Sequence, residues 1–231
     1  HRKDDFIKKA YPFFKKEFGA DKKTFKNAVK SAFEKREIHI NDILSQGQKA
    51  LDFATQNNLK CIILSGRPYH IDPEINHGID KLINSLGVVV LSEDSVRESI
   101  GKLDILNQWS YHSRLYSAAH FATKHENVEL VQLVSFGCGI DSITSDEVRR
   151  ILEGGDKFYT QIKIDEINNL GAVKIRVRSL LSAVDLKNKE AQIKRESEFK
   201  SQSIESIHES ITDLGKSNVE SMRESITTEA I

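Results

Sequence analysis

Leu59-Lys60-Cys61-Ile62-Ile63-Leu64-Ser65-Gly66-Arg67-Pro68 reads as a buried strand that stops at a turn. The apolar run is too short for a helix and does not alternate with polar residues, so both its faces should be covered. Gly66 permits a sharp turn, and Pro68 stiffens the loop beyond it. Outward from this stretch the same unit recurs. A helix is expected over 72–86, with Pro73 placed early, where a missing N–H is harmless. Val88-Val89-Val90-Leu91 is a second buried strand. A helix over 103–124 comes next, its inner side marked by Leu106, Trp109, Leu115, Ala119 and Ala122. Glu129-Leu130-Val131-Gln132-Leu133-Val134-Ser135 is a third strand, closed by Gly137. A helix over 144–153, a strand over 158–164 and a helix over 169–183 complete the series. This alternation predicts an α/β domain over 59–183. Its form is a parallel sheet of about four strands with helices on both faces, flavodoxin- or Rossmann-like. Ligands of such sheets bind beyond the carboxyl ends of the strands.

Helical extensions are expected on both sides. In 1–58, Phe6, Phe13, Phe14 and Phe18 recur at near-helical spacing between lysines. Phe25, Val29, Ala32 and Phe33 repeat the pattern, as do Ile43, Ala50, Leu51 and Ala54. The stretch 184–231 is rich in Ser, Glu and Lys. Ile204, Ile207, Ile211 and Leu214, then Val219, Met222 and Ile226, form a thin apolar stripe. That stripe fits either an amphipathic helical tail or a disordered one. A chain of 231 residues with 39% hydrophobic content fits one core domain with solvated extensions.

The charge balance narrows the class of partner. With 34 Lys+Arg against 34 Asp+Glu, nothing global draws the chain to nucleic acid or to an anionic membrane. The first 40 residues carry 12 basic against 6 acidic side chains, and residues 185–231 carry 7 against 10. A basic front end of this kind reads first as a solvated helix face and second as a surface for an acidic partner. No apolar run approaches the roughly 18–20 residues that span a membrane, and the charged start has no signal-peptide character. Cys61 and Cys138 are too few for a disulfide framework, so a cytoplasmic, reducing location fits. The chain opens on His1 instead of Met and reads as processed or as a fragment.

Three strand-end loops carry the polar chemistry. The first is Gly66-Arg67-Pro68-Tyr69-His70-Ile71-Asp72. Arg67 offers a planar fork for phosphate or carboxylate. Tyr69 and His70 add donors, a stacking surface and a proton carrier, and Asp72 is placed to cap the next helix. The same residues also fit a rigid corner with Arg67 paired to a structural carboxylate. The second loop is Phe136-Gly137-Cys138-Gly139-Ile140-Asp141. Gly137 and Gly139 leave the Cys138 sulfur accessible as nucleophile, metal ligand or redox thiol, and a small residue in a tight turn is the alternative. Cys61, at the other end of its strand, reads as core. The third loop carries Asp165 and Glu166, an acid–base pair or a helix cap, with Arg176 and Arg178 nearby to neutralise them. Tyr111, His112 and Arg114 open or line a helix that can reach the same cleft, and a packed Trp109 with a solvated polar face is the alternative. Walker, G-x-G-x-x-G, H-E-x-x-H and C-x-x-C patterns do not occur.

The string Gly66-Arg67-Pro68-Tyr69-His70-Ile71-Asp72-Pro73-Glu74-Ile75-Asn76-His77-Gly78 resembles a specific family. It is similar to the large CoA-substrate-specific enzyme activases related to 2-hydroxyacyl-CoA dehydratases, in the region of unknown function after their activase part. Leu91-Ser92-Glu93-Asp94-Ser95, Gln108-Trp109-Ser110-Tyr111-His112-Ser113-Arg114, Ser135-Phe136-Gly137-Cys138-Gly139-Ile140-Asp141 and Lys163-Ile164-Asp165-Glu166 agree in order and spacing. The resemblance implies kinship with dehydratase subunits and double-cubane reductases that bind a 4Fe–4S cluster. Activases feed such clusters single electrons at the expense of ATP. Cys138 then matches a cluster ligand, while the other ligands and the ATP-binding module lie in segments this chain does not contain. The partner implied is an ATP-dependent activase module or the rest of the same polypeptide, and a homo-oligomer is also compatible. The tail after 184 departs from the family pattern.

Three functions are expected on these grounds. One is a partial module of an iron–sulfur electron-transfer system acting on CoA thioesters or similar substrates, inactive alone, with Arg67, Tyr69 and His70 lining the cleft. Another is a non-catalytic scaffold that binds an anion or CoA. The last is a thiol hydrolase with Cys138 as nucleophile and His70 or His112 as base.

Overall fold

The computed structural model describes residues 2–100, 103–135, 137–164 and 169–228, with side-chain surroundings through 200 and at 202. Four strands form one parallel sheet: β1 (Cys61–Ser65), β2 (Val89–Ser92), β3 (Val128–Val134) and β4 (Thr160–Lys163). Their order is β2-β1-β3-β4. Cys61 stands opposite Val89 on one side and Val128 on the other. The chain leaves β1 towards β2 and leaves β3 in the opposite direction, towards β4. The crevice between the carboxyl ends of β1 and β3 is therefore the point where the winding reverses, where a sheet of this order receives its ligand.

Among the described residues seven α-helices accompany the sheet: α1 (Lys3–Phe18), α2 (Lys22–Gln56), α3 (Pro73–Asn76), α4 (Ile79–Asn84), α5 (Ser110–Lys124), α6 (Gly139–Gly154) and α7 (Leu170–Thr228). Strand side chains alternate between faces. On one face Cys61, Ile63, Leu91, Val128 and Leu130 pack on Leu51 and Ala54 of α2. They also pack on Ala118, Ala119 and Ala122 of α5 and on Val148, Ile151 and Leu152 of α6. Ile62 points the other way and is fully buried, on the side where α4, with Ile79 and Ile83, lies along β2. Helices on opposite faces are what right-handed crossovers require when the chain moves first to β2 and then back across β1 to β3.

The expected α/β sheet is present, with different helix boundaries. The helix expected over 72–86 is broken. A 3-10 turn covers Pro68–Ile71, α3 is a single turn, and His77 (φ 52°) and Gly78 (φ 80°) adopt the left-handed conformation before α4. Two consecutive left-handed residues cannot continue an α-helix. Helix α5 starts at Ser110, not near 103, because Trp109 is extended and the Ser113 hydroxyl is turned to Asn107 Oδ1 at 2.8 Å and the Trp109 carbonyl at 2.9 Å. Helix α6 starts at Gly139, so Cys138 is its N-cap residue.

At the front, Asp21 caps α2 by accepting from the N–H groups of Lys23 and Thr24 at 2.7 and 3.1 Å. Tyr11 and Phe14 of α1 meet Phe25 of α2, with ring centroids 5.7 and 4.9 Å apart. Phe6, Phe13 and Phe18 stay exposed, and α1 buries no residue. The tail is helical through Thr228. The side chains of its stripe at Ile204, Ile207, Ile211, Leu214, Val219, Met222 and Ile226 lie outside the described residues. The chain divides into two compact units, 1–177 and 178–231. Among the described residues no helix is long and apolar enough to cross a membrane.

Candidate functional site

The two loops at the ends of β1 and β3 meet at the winding reversal. Gly66 is required there by contact. A Cβ on it would strike Nδ1 of His70 and come within 3.1 Å of the Leu133 carbonyl oxygen. The imidazole of His70 occupies that space, and only 2% of the residue is exposed. Its Nδ1 accepts from the Arg67 backbone N–H at 3.0 Å. The proton of the neutral ring therefore sits on Nε2, which makes a short hydrogen bond to the Ser135 hydroxyl. Burial, with the Arg67 guanidinium adding to it, pushes His70 from its ordinary 6.5 down to about 4. The ring is thus neutral near pH 7 with both nitrogens engaged, and it holds the β1 loop against the β3 loop. Tyr69 stands edge-on to it, and its hydroxyl lies 3.4 Å from the same Ser135 hydroxyl.

Arg67 faces α6. Its Nη2 donates to Asp141 Oδ1 at 2.6 Å and lies 3.7 Å from Cys138 Sγ. Asp141 is 8% exposed, and its Oδ2 is buried without a hydrogen-bond partner. The bond to Asp141 comes first among the effects that hold the guanidinium proton more firmly than usual. Asp141 also supplies negative charge in the first turn of α6, where the helix dipole favours it. Beside the pair, His112 of α5 bonds through Nδ1 to the Thr144 hydroxyl at 2.6 Å. That hydroxyl donates to the Ile140 carbonyl at 2.8 Å. Thr144 therefore accepts from His112, whose Nδ1 carries the proton and whose Nε2 keeps its lone pair. Burial, then the Arg67 charge, lowers the pKa of His112 as well.

These groups surround a cavity of about 280 Å³. Its walls are Gly66, Arg67, Pro68, Tyr69 and His70 from the first loop and Tyr111, His112 and Leu115 from α5. Gln132, Leu133 and Val134 of β3 and Asp141 and Thr144 of α6 close it. Of the residues singled out in the sequence, Gly66, Arg67, Pro68, Tyr69, His70, Tyr111, His112 and Asp141 are thus brought together. Asp72 is not. Its exposed carboxylate accepts from the Glu74 N–H at 2.9 Å and caps α3.

Cys138 is exposed beside the cleft, with Gly137 and Gly139 facing open space where a Cβ would meet nothing within 4 Å. Phe136, Asp165 and Glu166 lie outside the described residues. Arg176 donates to the Gln161 carbonyl at 2.6 Å. Cys61 is fully buried at the far end of β1, and burial pushes its thiol up to about 11.

Arg114 does not line the cleft. It braces it from behind, with Nη2 at 3.0 Å from Glu93 Oε1 and 2.5 Å from Asp94 Oδ2. Glu93 is 3% exposed, and desolvation pushes its carboxyl up to about 7. Glu93, Ser135 and Thr144 were not singled out in the sequence. Only Thr144 had a readable signal, one helical turn beyond Asp141 on the same face.

The donor set bears on the cluster that the family resemblance implies. Iron–sulfur clusters of the 4Fe–4S type take four thiolates, and the chain has one exposed thiol, Cys138, with Cys61 sealed in the core. Among the described residues no group of three or more His, Cys, Asp or Glu side chains is placed to hold a metal ion. The residues present do not fit a complete cluster. Among the described residues the group facing the Cys138 sulfur is Arg67. Of the two histidines expected as its base, His70 has both nitrogens engaged, and His112 keeps Nε2 uncommitted.

No curated protein and no solved structure matches the chain. Residues 1–96 match the family described as the CoA enzyme activase uncharacterised domain. That stretch carries α1, α2, β1, the Gly66–His70 loop and β2, and over it the chain is similar to that activase-related family.

Proposed function

We propose that the chain is one module of an activase-driven iron–sulfur system acting on CoA thioesters or similar substrates, and that it supplies a substrate cleft and one thiol ligand. The observation that carries this reading is the Cys138 sulfur. It is exposed between two glycines with open space on both sides, 3.7 Å from Arg67 and next to the β1/β3 crevice. Neither neighbouring residue carries a side chain to crowd a group that approaches it. The remaining ligands belong to another part of the polypeptide or to the partner, since this chain offers no second accessible thiol. Anaerobic co-purification with an ATP-dependent activase component, followed by iron and sulfide analysis, tests the reading. The assembled protein is expected to lose iron when Cys138 is replaced by Ser, and unchanged iron content would refute the ligand role.

A second reading, a ligand-binding scaffold without redox chemistry, is favoured by the Arg67–Asp141 pair, which already neutralises the one cationic side chain among the described cavity walls. Under it, Cys138→Ser leaves iron content and ligand affinity unchanged.

A further inference from the structure

We infer that the β1/β3 cleft takes a neutral, amide-bearing chain, which in a CoA thioester is the pantetheine arm, and does not take a phosphorylated end. This rests on the CoA-thioester reading above for the identity of the ligand, and on the cleft itself for the choice of which part enters. Size is the first constraint. A cavity of about 280 Å³ falls just below the ~300–1,000 Å³ of pockets that hold a drug-sized molecule. CoA is larger than such a molecule, so only a portion of it fits.

Charge is the second constraint. Among the described residues of the walls, Arg67 and Asp141 are the charged side chains, and they are bonded to each other at 2.6 Å. His70 and His112 are held neutral by burial. The described lining therefore sums to zero and gives a phosphate dianion no uncompensated positive charge. A phosphate would also have to lie against Asp141.

Hydrogen-bond polarity is the third constraint and the most specific. Asp141 Oδ2 has no hydrogen-bond partner and is sealed from the cavity, so a ligand donor reaches it only by turning the carboxylate. Leaving such a group unmade is costly, and a phosphate dianion has only acceptors to offer it. The lone pair of His112 Nε2 is a second acceptor in the same walls. An amide satisfies the arrangement, its N–H donating to His112 Nε2, or to Asp141 Oδ2 once that carboxylate turns, while its carbonyl accepts from the neighbouring guanidinium. Leu115, Leu133 and Val134 give the methylenes on either side an apolar wall.

Calorimetric titration of the full chain with acetyl-CoA, acetylpantetheine and adenosine bisphosphate separates the possibilities. Acetylpantetheine is expected to displace acetyl-CoA with an affinity within about tenfold of the whole ligand, the equivalent of one or two hydrogen bonds. Adenosine bisphosphate is expected not to compete. Asp141→Ala is expected to weaken acetylpantetheine about tenfold or more, and Asp141→Asn, which keeps an acceptor, less. Competition by adenosine bisphosphate, with acetylpantetheine inert, would overturn the inference and leave the thioester reading intact. Failure of acetyl-CoA and acetylpantetheine alike to bind would overturn both. Binding of acetylpantetheine alone would uphold the inference and count against CoA as the natural carrier.

Discussion

Two buried titratable residues behind the cleft loop pull stability in opposite directions with pH. Burial raises Glu93 from 4.5 to about 7 and lowers His70 from 6.5 to about 4. A carboxyl with a raised folded-state pKa contributes stability that is present below 4.5 and lost as pH climbs through 7. An imidazole with a lowered one contributes stability present above 6.5 and lost as pH falls through about 4. Glu93→Gln should therefore gain on the wild type steadily between about pH 4.5 and 7 and hold a constant difference above. The total change is on the order of 3 kcal/mol at about 1.4 kcal/mol per pH unit. Arg114 keeps Asp94 as its partner at 2.5 Å, which limits the constant offset of the variant. His70→Gln should gain on the wild type as pH drops from 6.5 towards 4. Urea denaturation at each pH reads both slopes, and a Glu93→Gln difference that does not vary with pH would refute the assignment. Glu93 is legible in the sequence only as a polar residue after a strand. Its burial depends on Arg114, 21 positions away, a pairing that no local pattern encodes.

Elements were legible wherever their signal was local. Strands β1, β2 and β3 are short apolar runs, and Gly66 and Gly137 mark two of their exits. The breaks were less legible because they depend on neighbours. His77 followed by Gly78 carried a turn signal that the apolar spacing on either side outweighed. The late start of α5 reflects the path of the preceding segment, where the Ser113 hydroxyl turns back to Asn107 Oδ1 and the Asp104 N–H faces Glu147 Oε1 of α6 at 3.4 Å. Gly47 shows the same limit. It lies buried inside α2, where a glycine normally weakens a helix, and nothing near it in sequence explains it. The structure does, because a Cβ there would run into the Ser95 carbonyl of the turn that carries Glu93, with the carbonyl carbon at 2.8 Å. Both partners are backbone and cannot swing aside. Gly47→Ala therefore sets a helix-propensity gain of about 1 kcal/mol against overpacking of about 1–3 kcal/mol. The net effect is a loss, seen as a melting temperature lower by a few degrees. A variant that melts at or above the wild-type temperature would show that α2 can slide off the turn.

At the scale of the whole molecule, the family match and the folding unit do not coincide. The match ends at residue 96, after β2, while β1 is an inner strand held on its other side by β3. Everything from Ser110 to Lys163 that completes the sheet and its covered face lies beyond it, namely α5, β3, α6 and β4. Residues 1–96 alone would keep a two-stranded parallel pair with α1, α2 and α4. Cys61 and Ile63, both fully buried, would lose the alanines of α5 and the Val128 and Leu130 wall. Two strands with half a core are below what stands independently, and a chain of that length has little interior to spare. The cleft divides along the same line, with Arg67 and His70 on one side of residue 96 and Ser135, Cys138 and Asp141 on the other. A fragment of residues 1–96 should retain helical circular dichroism from α1 and α2 and unfold without a cooperative transition. The full chain should melt cooperatively. A sharp transition in the fragment would show that the matched segment folds by itself and that β3 is an addition to its sheet; its absence would make the strand-end cleft, shared by both halves, part of what holds them together.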